Sequence, residues 1–66
     1  MTIYVDDMRA GYGQMIMCHM IGPEAELLEM ADRIGVKRRW YQGDHFDICQ
    51  SKRNLALKAG AKTVYL

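Results

Sequence analysis

The chain has 66 residues, of which half are hydrophobic and about a quarter are charged, and its formal net charge is +1. This length allows a single domain over residues 1–66 and excludes a second one, and the composition is that of a globular chain rather than a disordered one. Nine Lys and Arg residues against eight Asp and Glu residues exclude nonspecific DNA binding through overall charge.

The amino-terminal part is typical of a strand, a loop and a second strand. Residues 2–5 are β-branched or aromatic, which favours a strand, and two aspartates then begin a loop. The glycines on both sides of Tyr12 predict a turn or mobile loop over residues 9–13. Residues 14–21 are compatible with a strand buried on both faces, and we favour a strand over a helix there.

The clearest helix signal covers residues 23–34. Pro23 is tolerated in a first helical turn, and the acidic residues that follow it favour the positive end of the helix dipole. An i, i+3, i+4, i+7 stripe predicts the buried face of this helix, and Gly35 supplies a left-handed cap. The stripe consists of Leu27, Met30, Ala31 and Ile34.

The second half of the chain is predicted to form a strand, a helix and a last strand. Residues 36–42 are expected to be extended until a Gly-Asp pair breaks them. Asp47 or Ser51 caps a helix that ends at Gly60, and residues 62–66 form the final strand. The expected buried face of this helix comprises Ile48, Leu55, Ala56 and Ala59.

The order β-β-α-β-α-β predicts an α/β fold, a small sheet of three or four strands with two helices on one face. Because so small a core supplies little stability, we expect a homodimer. Cys18 and Cys49 lack the spacing of a metal finger and are expected to be free thiols of a cytoplasmic protein. The apolar run over residues 15–21 is too short to cross a bilayer, so no membrane role is expected.

Polar clusters at predicted strand ends and helix starts predict one site for an anion. If the strands are parallel, their carboxyl ends share the edge at which open α/β sheets bind ligands. Lys52 and Arg53 fall in a first helical turn, where the dipole disfavours cations unless an anion is bound. We therefore expect Asp6, His45, Lys52 and Arg53 to line one pocket. The full set of expected ligand-binding residues is Asp6, Asp7, Tyr12, His19, Arg39, Tyr41, His45, Asp47, Ser51, Lys52 and Arg53.

These residues also have structural interpretations. Paired aspartates terminate strands, and the alternative for His45 is a loop histidine beside a helix cap at Asp47. His19 stands in an apolar context typical of a core histidine and gains functional interest only if it faces His45. In the predicted strand over residues 36–42, Trp40 is expected in the core.

Five short segments of the chain stand out together: YVDD (4–7), CHM (18–20), RRWYQ (38–42), HFDI (45–48) and SKR (51–53). They resemble a family of small bacterial and bacteriophage proteins that share a domain of unknown function. Cys18 and Phe46 stand where that family usually has serine and tyrosine, and the missing hydroxyl beside His19 argues against nucleophilic chemistry there. The resemblance implies a bacterial or phage cytoplasmic origin and no established activity.

The first expected function is binding of a phosphorylated ligand, a nucleotide or cyclic nucleotide signal, without any cofactor. Lys52, Arg53 and Arg39 would hold phosphate, and Tyr41 or Tyr12 would stack on a base. In a phage protein, such binding would sequester a host defence signal.

Two other functions stay open from the sequence. A phosphoesterase or nuclease would use Mg²⁺ or Mn²⁺ held by Asp6, Asp7, His45 and Asp47. A protein-interaction inhibitor would need no small-molecule site, and every polar residue named above would then be structural.

Overall fold

The computed structural model describes residues 2–65. These residues form five strands, two α-helices and one short 3-10 turn. The α/β class predicted from the sequence is confirmed, although the sheet has five strands rather than three or four. The elements are β1 (Tyr4–Asp6), β2 (Ala10–Tyr12), β3 (Met15–Ile21), α1 (Glu24–Ile34), the 3-10 turn (Arg38–Trp40), β4 (His45–Cys49), α2 (Gln50–Lys58) and β5 (Lys62–Val64).

Strand β3 is the centre of the sheet. One of its edges pairs antiparallel with β4, and the other pairs antiparallel with β2 near the start of β3 and with β1 near its end. β5 adds to β1 in parallel. Because parallel pairing among the described strands is confined to β1 and β5, the polar strand ends do not gather on a carboxyl edge as the sequence predicted.

Both helices pack on one face of the sheet, and the core lies between them and the strands. Successive strand residues point to opposite faces, so Val5, Met20 and Phe46 are buried against the helices. The four residues of the predicted α1 stripe are all buried, and Gly35 has the expected left-handed conformation with φ 80°. The other sheet face is open and carries the side chains of Asp6, His19, His45 and Asp47.

Two predicted loop or strand assignments are wrong. Residues 10–12 form β2 rather than a mobile loop, because a turn at residues 13–14 lets their backbone pair with Met15–Met17. Residues 36–42 do not form a strand, and Trp40 is 59% exposed rather than buried. One edge of β3 is instead filled by β4, which alternates polar and apolar residues and buries Phe46 and Ile48.

The start of the second helix also differs from the prediction. Asp47 lies inside β4 and caps nothing, and α2 begins at Gln50 with Cys49 as its N-cap residue. Leu55, which was expected on the buried face, is 44% exposed, while Ala56 is fully buried. Ala59 and Leu57 are partly buried against the core, so the buried face of α2 is centred on Ala56, and Leu55 lies outside it.

The ends of the chain agree with the predicted strands apart from small shifts. β1 includes Asp6, and β5 ends at Val64. The predicted last strand extended to Leu66, which lies outside the described residues. Cys18 is buried and Cys49 half-buried, and both are free thiols. Burial raises the pKa of Cys18 to about 11. The homodimer stays a prediction, and no helix within residues 2–65 is long and apolar enough to cross a membrane.

Candidate functional site

Four of the polar residues singled out in the sequence meet on the open face of the sheet. The register places His19 opposite Asp47. Nδ1 of His19 lies 2.6 Å from Oδ2 of Asp6, and Nε2 of His19 lies 3.8 Å from Oδ1 of Asp47. Nε2 of His45 lies 3.3 Å from the same Asp47 oxygen. The two imidazole rings are 5.2 Å apart, edge to face, so His19 does face His45.

Asp6 holds His19 in one tautomer. Its Oδ1 accepts hydrogen bonds from the backbone N–H groups of His19 and Met8, at 3.0 and 3.2 Å. Burial raises the pKa of Asp6, but these bonds and the His19 side chain outweigh burial and hold the pKa below its ordinary value of 3.8. The ionised carboxylate can only accept, so Nδ1 of His19 donates to it and Nε2 presents a lone pair.

His45 and Asp47 are held in the same way. Nδ1 of His45 lies 2.5 Å from Oδ1 of Asp44, so Nδ1 donates to this carboxylate and Nε2 again presents a lone pair. Gln42 donates its amide N–H to Oδ2 of Asp47 at 2.8 Å, which leaves Oδ1 directed at the histidines. Metal-binding histidines almost always donate their second ring N–H to a carboxylate or carbonyl, as both histidines do here.

The positions of these atoms fit a divalent transition metal. One ligand atom from each of His19, His45 and Asp47 lies within 4.8 Å of the others. Bonds of about 2.0 to 2.2 Å place two ligands of one ion roughly 3 to 4 Å apart, so small side-chain rotations would close the set. Two imidazoles and one carboxylate suit Zn²⁺, Fe²⁺ or Mn²⁺ better than Mg²⁺, which prefers oxygen ligands. The neighbouring carboxylates give the cluster a negative charge that favours a cation.

A cavity of about 780 Å³ opens beside the cluster and shares His19 and Asp47 with it. Three cations, Lys37, Arg39 and Lys52, also line the cavity. None of the three takes part in the ion pairs formed within residues 2–65. The cavity therefore joins the negatively charged cluster of histidines and carboxylates to a positively charged wall.

Of the two cations predicted to share a pocket with Asp6 and His45, Lys52 lines the cavity and Arg53 does not. Arg53 donates from Nε to the backbone oxygen of Asp6 at 3.0 Å and from Nη2 to the Thr63 hydroxyl at 3.5 Å, so it ties α2 to β1 and β5. A Cβ at Gly35 would come within 3.1 Å of Nζ of Lys52. Lys52 thus lies at the carboxyl end of α1, where the helix dipole favours a cation, and reaches the cavity from there.

The remaining predicted residues have separate positions. The Tyr41 hydroxyl donates to a backbone carbonyl, and its ring packs on the core. The Ser51 hydroxyl lies 3.2 Å from Sγ of Cys49. Asp7 is exposed, and Tyr12 lines the outer part of the cavity. Of these, Tyr12 alone is placed to meet a ligand in the cavity.

Sequence reasoning missed Asp44 and Gln42 as partners of the cluster and Lys37 and Trp40 as cavity residues. A usable signal was present, because residues two apart on a strand share a face. Had residues 45–49 been assigned as a strand, His45 and Asp47 would have been placed side by side. No local pattern marks Gln42, whose role depends on the turn before β4.

Replacing Asp6 by asparagine is expected to lower the free energy of unfolding near neutral pH, because the ionised carboxylate accepts three hydrogen bonds. The pKa of Asp6 is lower in the folded protein, so its stabilisation is present above the unfolded-state value of 3.8 and is lost as the pH falls through the folded value. Urea unfolding of both proteins across this range should show their difference shrinking in acid. A difference that does not change with pH would contradict this assignment.

The chain belongs to the family described as "Protein of unknown function (DUF4031)", whose model matches residues 3–66. The resemblance seen in the sequence is therefore confirmed at the level of a family without known function. No curated protein and no solved structure matches the chain.

Proposed function

We propose that this protein, whose family carries no assigned activity, is a metal-dependent phosphoesterase. Its ion, Zn²⁺ or a similar transition metal, would be held by Nε2 of His19, Nε2 of His45 and Oδ1 of Asp47. The observation that carries the proposal is that each of these ligands has its own outer partner, so that the three remaining ligand atoms converge. Such outer partners orient ligands and increase their basicity.

The charges around the site support an anionic substrate that meets a bound ion. Asp6, Asp44 and Asp47 would repel a phosphate that approached the cluster alone. A divalent cation reverses this repulsion, and Arg39 and Lys52 in the adjoining cavity offer positive charge to the other phosphate oxygens.

The chemistry expected at such a centre is hydrolysis. A metal ion held by His19, His45 and Asp47 would lower the pKa of a water molecule to about 7 and so supply a hydroxide nucleophile at neutral pH. Hydrolysis would join this oxygen to phosphorus and break the ester P–O bond, and the alcohol oxygen that leaves would take a proton from water. The chain contributes by holding the histidine tautomers through Asp6 and Asp44 and by binding the phosphate with its cations.

This proposal revises the ligand set expected from the sequence. His19 is now one of the proposed ligands, and Asp6 accepts a hydrogen bond from its Nδ1 instead of binding the ion. Asp7 is not among the proposed ligands. Two nitrogen ligands favour Zn²⁺ over the Mg²⁺ or Mn²⁺ expected for a set dominated by carboxylates. Sequestration of a phosphorylated host signal would use the same cavity without metal, so the two functions differ in their metal requirement.

The test is a calorimetric titration of EDTA-treated protein with Zn²⁺ and Mn²⁺, together with hydrolysis of bis(p-nitrophenyl) phosphate. We expect about one ion to bind per chain and hydrolysis to require it. Absence of saturable binding for both ions would reject the metal centre. Binding of an ion without hydrolysis of this ester or of p-nitrophenyl phosphate would reject the phosphoesterase.

A further inference from the structure

We infer that the cavity beside the metal cluster binds a nucleoside phosphate, with the base against Trp40 and the phosphate between Arg39 and the cluster. The inference deepens the proposed function and rests on it for the position of the phosphate relative to the ion. The aromatic and cationic part of the cavity can be tested without metal, so the two proposals can fail separately.

The aromatic residues on the cavity wall are unusually exposed. Trp40 is 59% exposed and Tyr12 is 72% exposed, and they come from the 3-10 turn and from β2. The guanidinium of Arg39 lies 5.2 Å from the centre of the Trp40 ring. An indole with an arginine beside it offers a stacking surface and a positive charge together, as proteins that bind unpaired bases do.

Two adjacent arginines, Arg38 and Arg39, differ in whether their charge is available to a ligand. The charge of Arg38 is neutralised by Asp32, because Nη2 of Arg38 lies 2.8 Å from Oδ2 of Asp32 and its Nε also donates to that carboxylate. Arg39 forms no ion pair within residues 2–65, and Asp47 is the one carboxylate among the described residues that line the cavity. The cavity wall thus carries more positive than negative charge, which favours an anion.

The size and lining of the cavity fit a ligand with an apolar ring and one charged end. Its volume of about 780 Å³ lies within the range of small-molecule sites, roughly 300 to 1,000 Å³. Met8, Met15 and Met17 add flexible apolar side chains to the wall that carries the aromatic residues. Methionine side chains adapt to flat rings and contact them favourably, whereas inorganic phosphate would use none of this surface.

Trp40 is the single tryptophan of the chain, so its fluorescence reports directly on the cavity. We would titrate the protein with adenosine 5′-monophosphate, adenosine, ribose 5-phosphate and a short oligoadenylate, in EDTA and again with Zn²⁺. We expect saturable quenching by the nucleotide. Adenosine, which lacks the phosphate, and ribose 5-phosphate, which lacks the base, should each bind about tenfold more weakly or worse. If oligoadenylate binds tenfold more tightly than adenosine 5′-monophosphate, the nucleoside phosphate that the site recognises is part of a single-stranded nucleic acid. If oligoadenylate binds more weakly, the site recognises the free nucleotide.

Arg39→Ala is expected to weaken nucleotide binding about 10-fold or more, because it removes a charged hydrogen bond to phosphate. Arg33→Ala removes an arginine from the exposed side of α1 and should leave the affinity unchanged. No saturable quenching by the nucleotide in either buffer, or equal affinity for adenosine and its phosphate, would overturn the inference even if Zn²⁺ binds. Nucleotide binding without Zn²⁺ binding would support it and reject the metal centre.

Discussion

Asp47→Asn is expected to lower the affinity for Zn²⁺ by about 100-fold or more and to abolish phosphate ester hydrolysis. The reason is that Asp47 would supply the one charged ligand of the proposed three, and its Oδ1 is the atom that both histidine Nε2 atoms approach. Loss of an outer partner alone typically costs about 10- to 100-fold in affinity, so loss of the charged ligand should cost more. Calorimetric titration with Zn²⁺ measures the effect.

Asp32→Asn is the matched control, because it makes the same change at an exposed carboxylate of α1 that pairs with Arg38. It should bind Zn²⁺ as the unaltered protein does. Asp44→Ala removes the outer partner of His45, and its affinity for Zn²⁺ should lie between those of the two asparagine variants. If Asp47→Asn and Asp32→Asn bind Zn²⁺ equally well, the ion is not held at this cluster.

Leu27→Ala is expected to lower the free energy of unfolding by roughly 2 to 5 kcal/mol, the cost of a cavity in a packed core. Leu27 is fully buried between α1 and the sheet. For a 66-residue chain, whose total stability is of the order of 3 to 10 kcal/mol, this is a large fraction. Urea unfolding followed by circular dichroism gives the difference.

Leu55→Ala makes the same change in α2, at a side chain that is 44% exposed. Its effect should stay within about 0.5 kcal/mol, as for other surface changes. If Leu27→Ala does not fold, Leu27→Met keeps the volume and should cost less than about 1.5 kcal/mol. Equal losses for the two alanine variants would show that the assigned buried faces of the helices are wrong.

Helix α1 could be predicted from the sequence because its signals are local. The proline start, the acidic first turn, the apolar stripe and Gly35 all lie within thirteen consecutive residues, and each acts on the conformation of its neighbours. The order of strand and helix patterns likewise determined the α/β class, since elements that alternate in this way bury their apolar faces by packing helices on a sheet.

The tertiary structure decided which strands form and which side chains meet. Residues 36–42 and 45–49 both contain the aromatic and β-branched residues typical of strands, and only pairing with β3 selects the second segment as a strand. That same pairing brings His19 close to His45 and Asp47, while the end of β1 places Asp6 against Nδ1 of His19. Contacts between residues so distant in the chain depend on strand register, which local preferences do not encode. The sequence therefore identified most residues of the cluster but not the face on which they assemble.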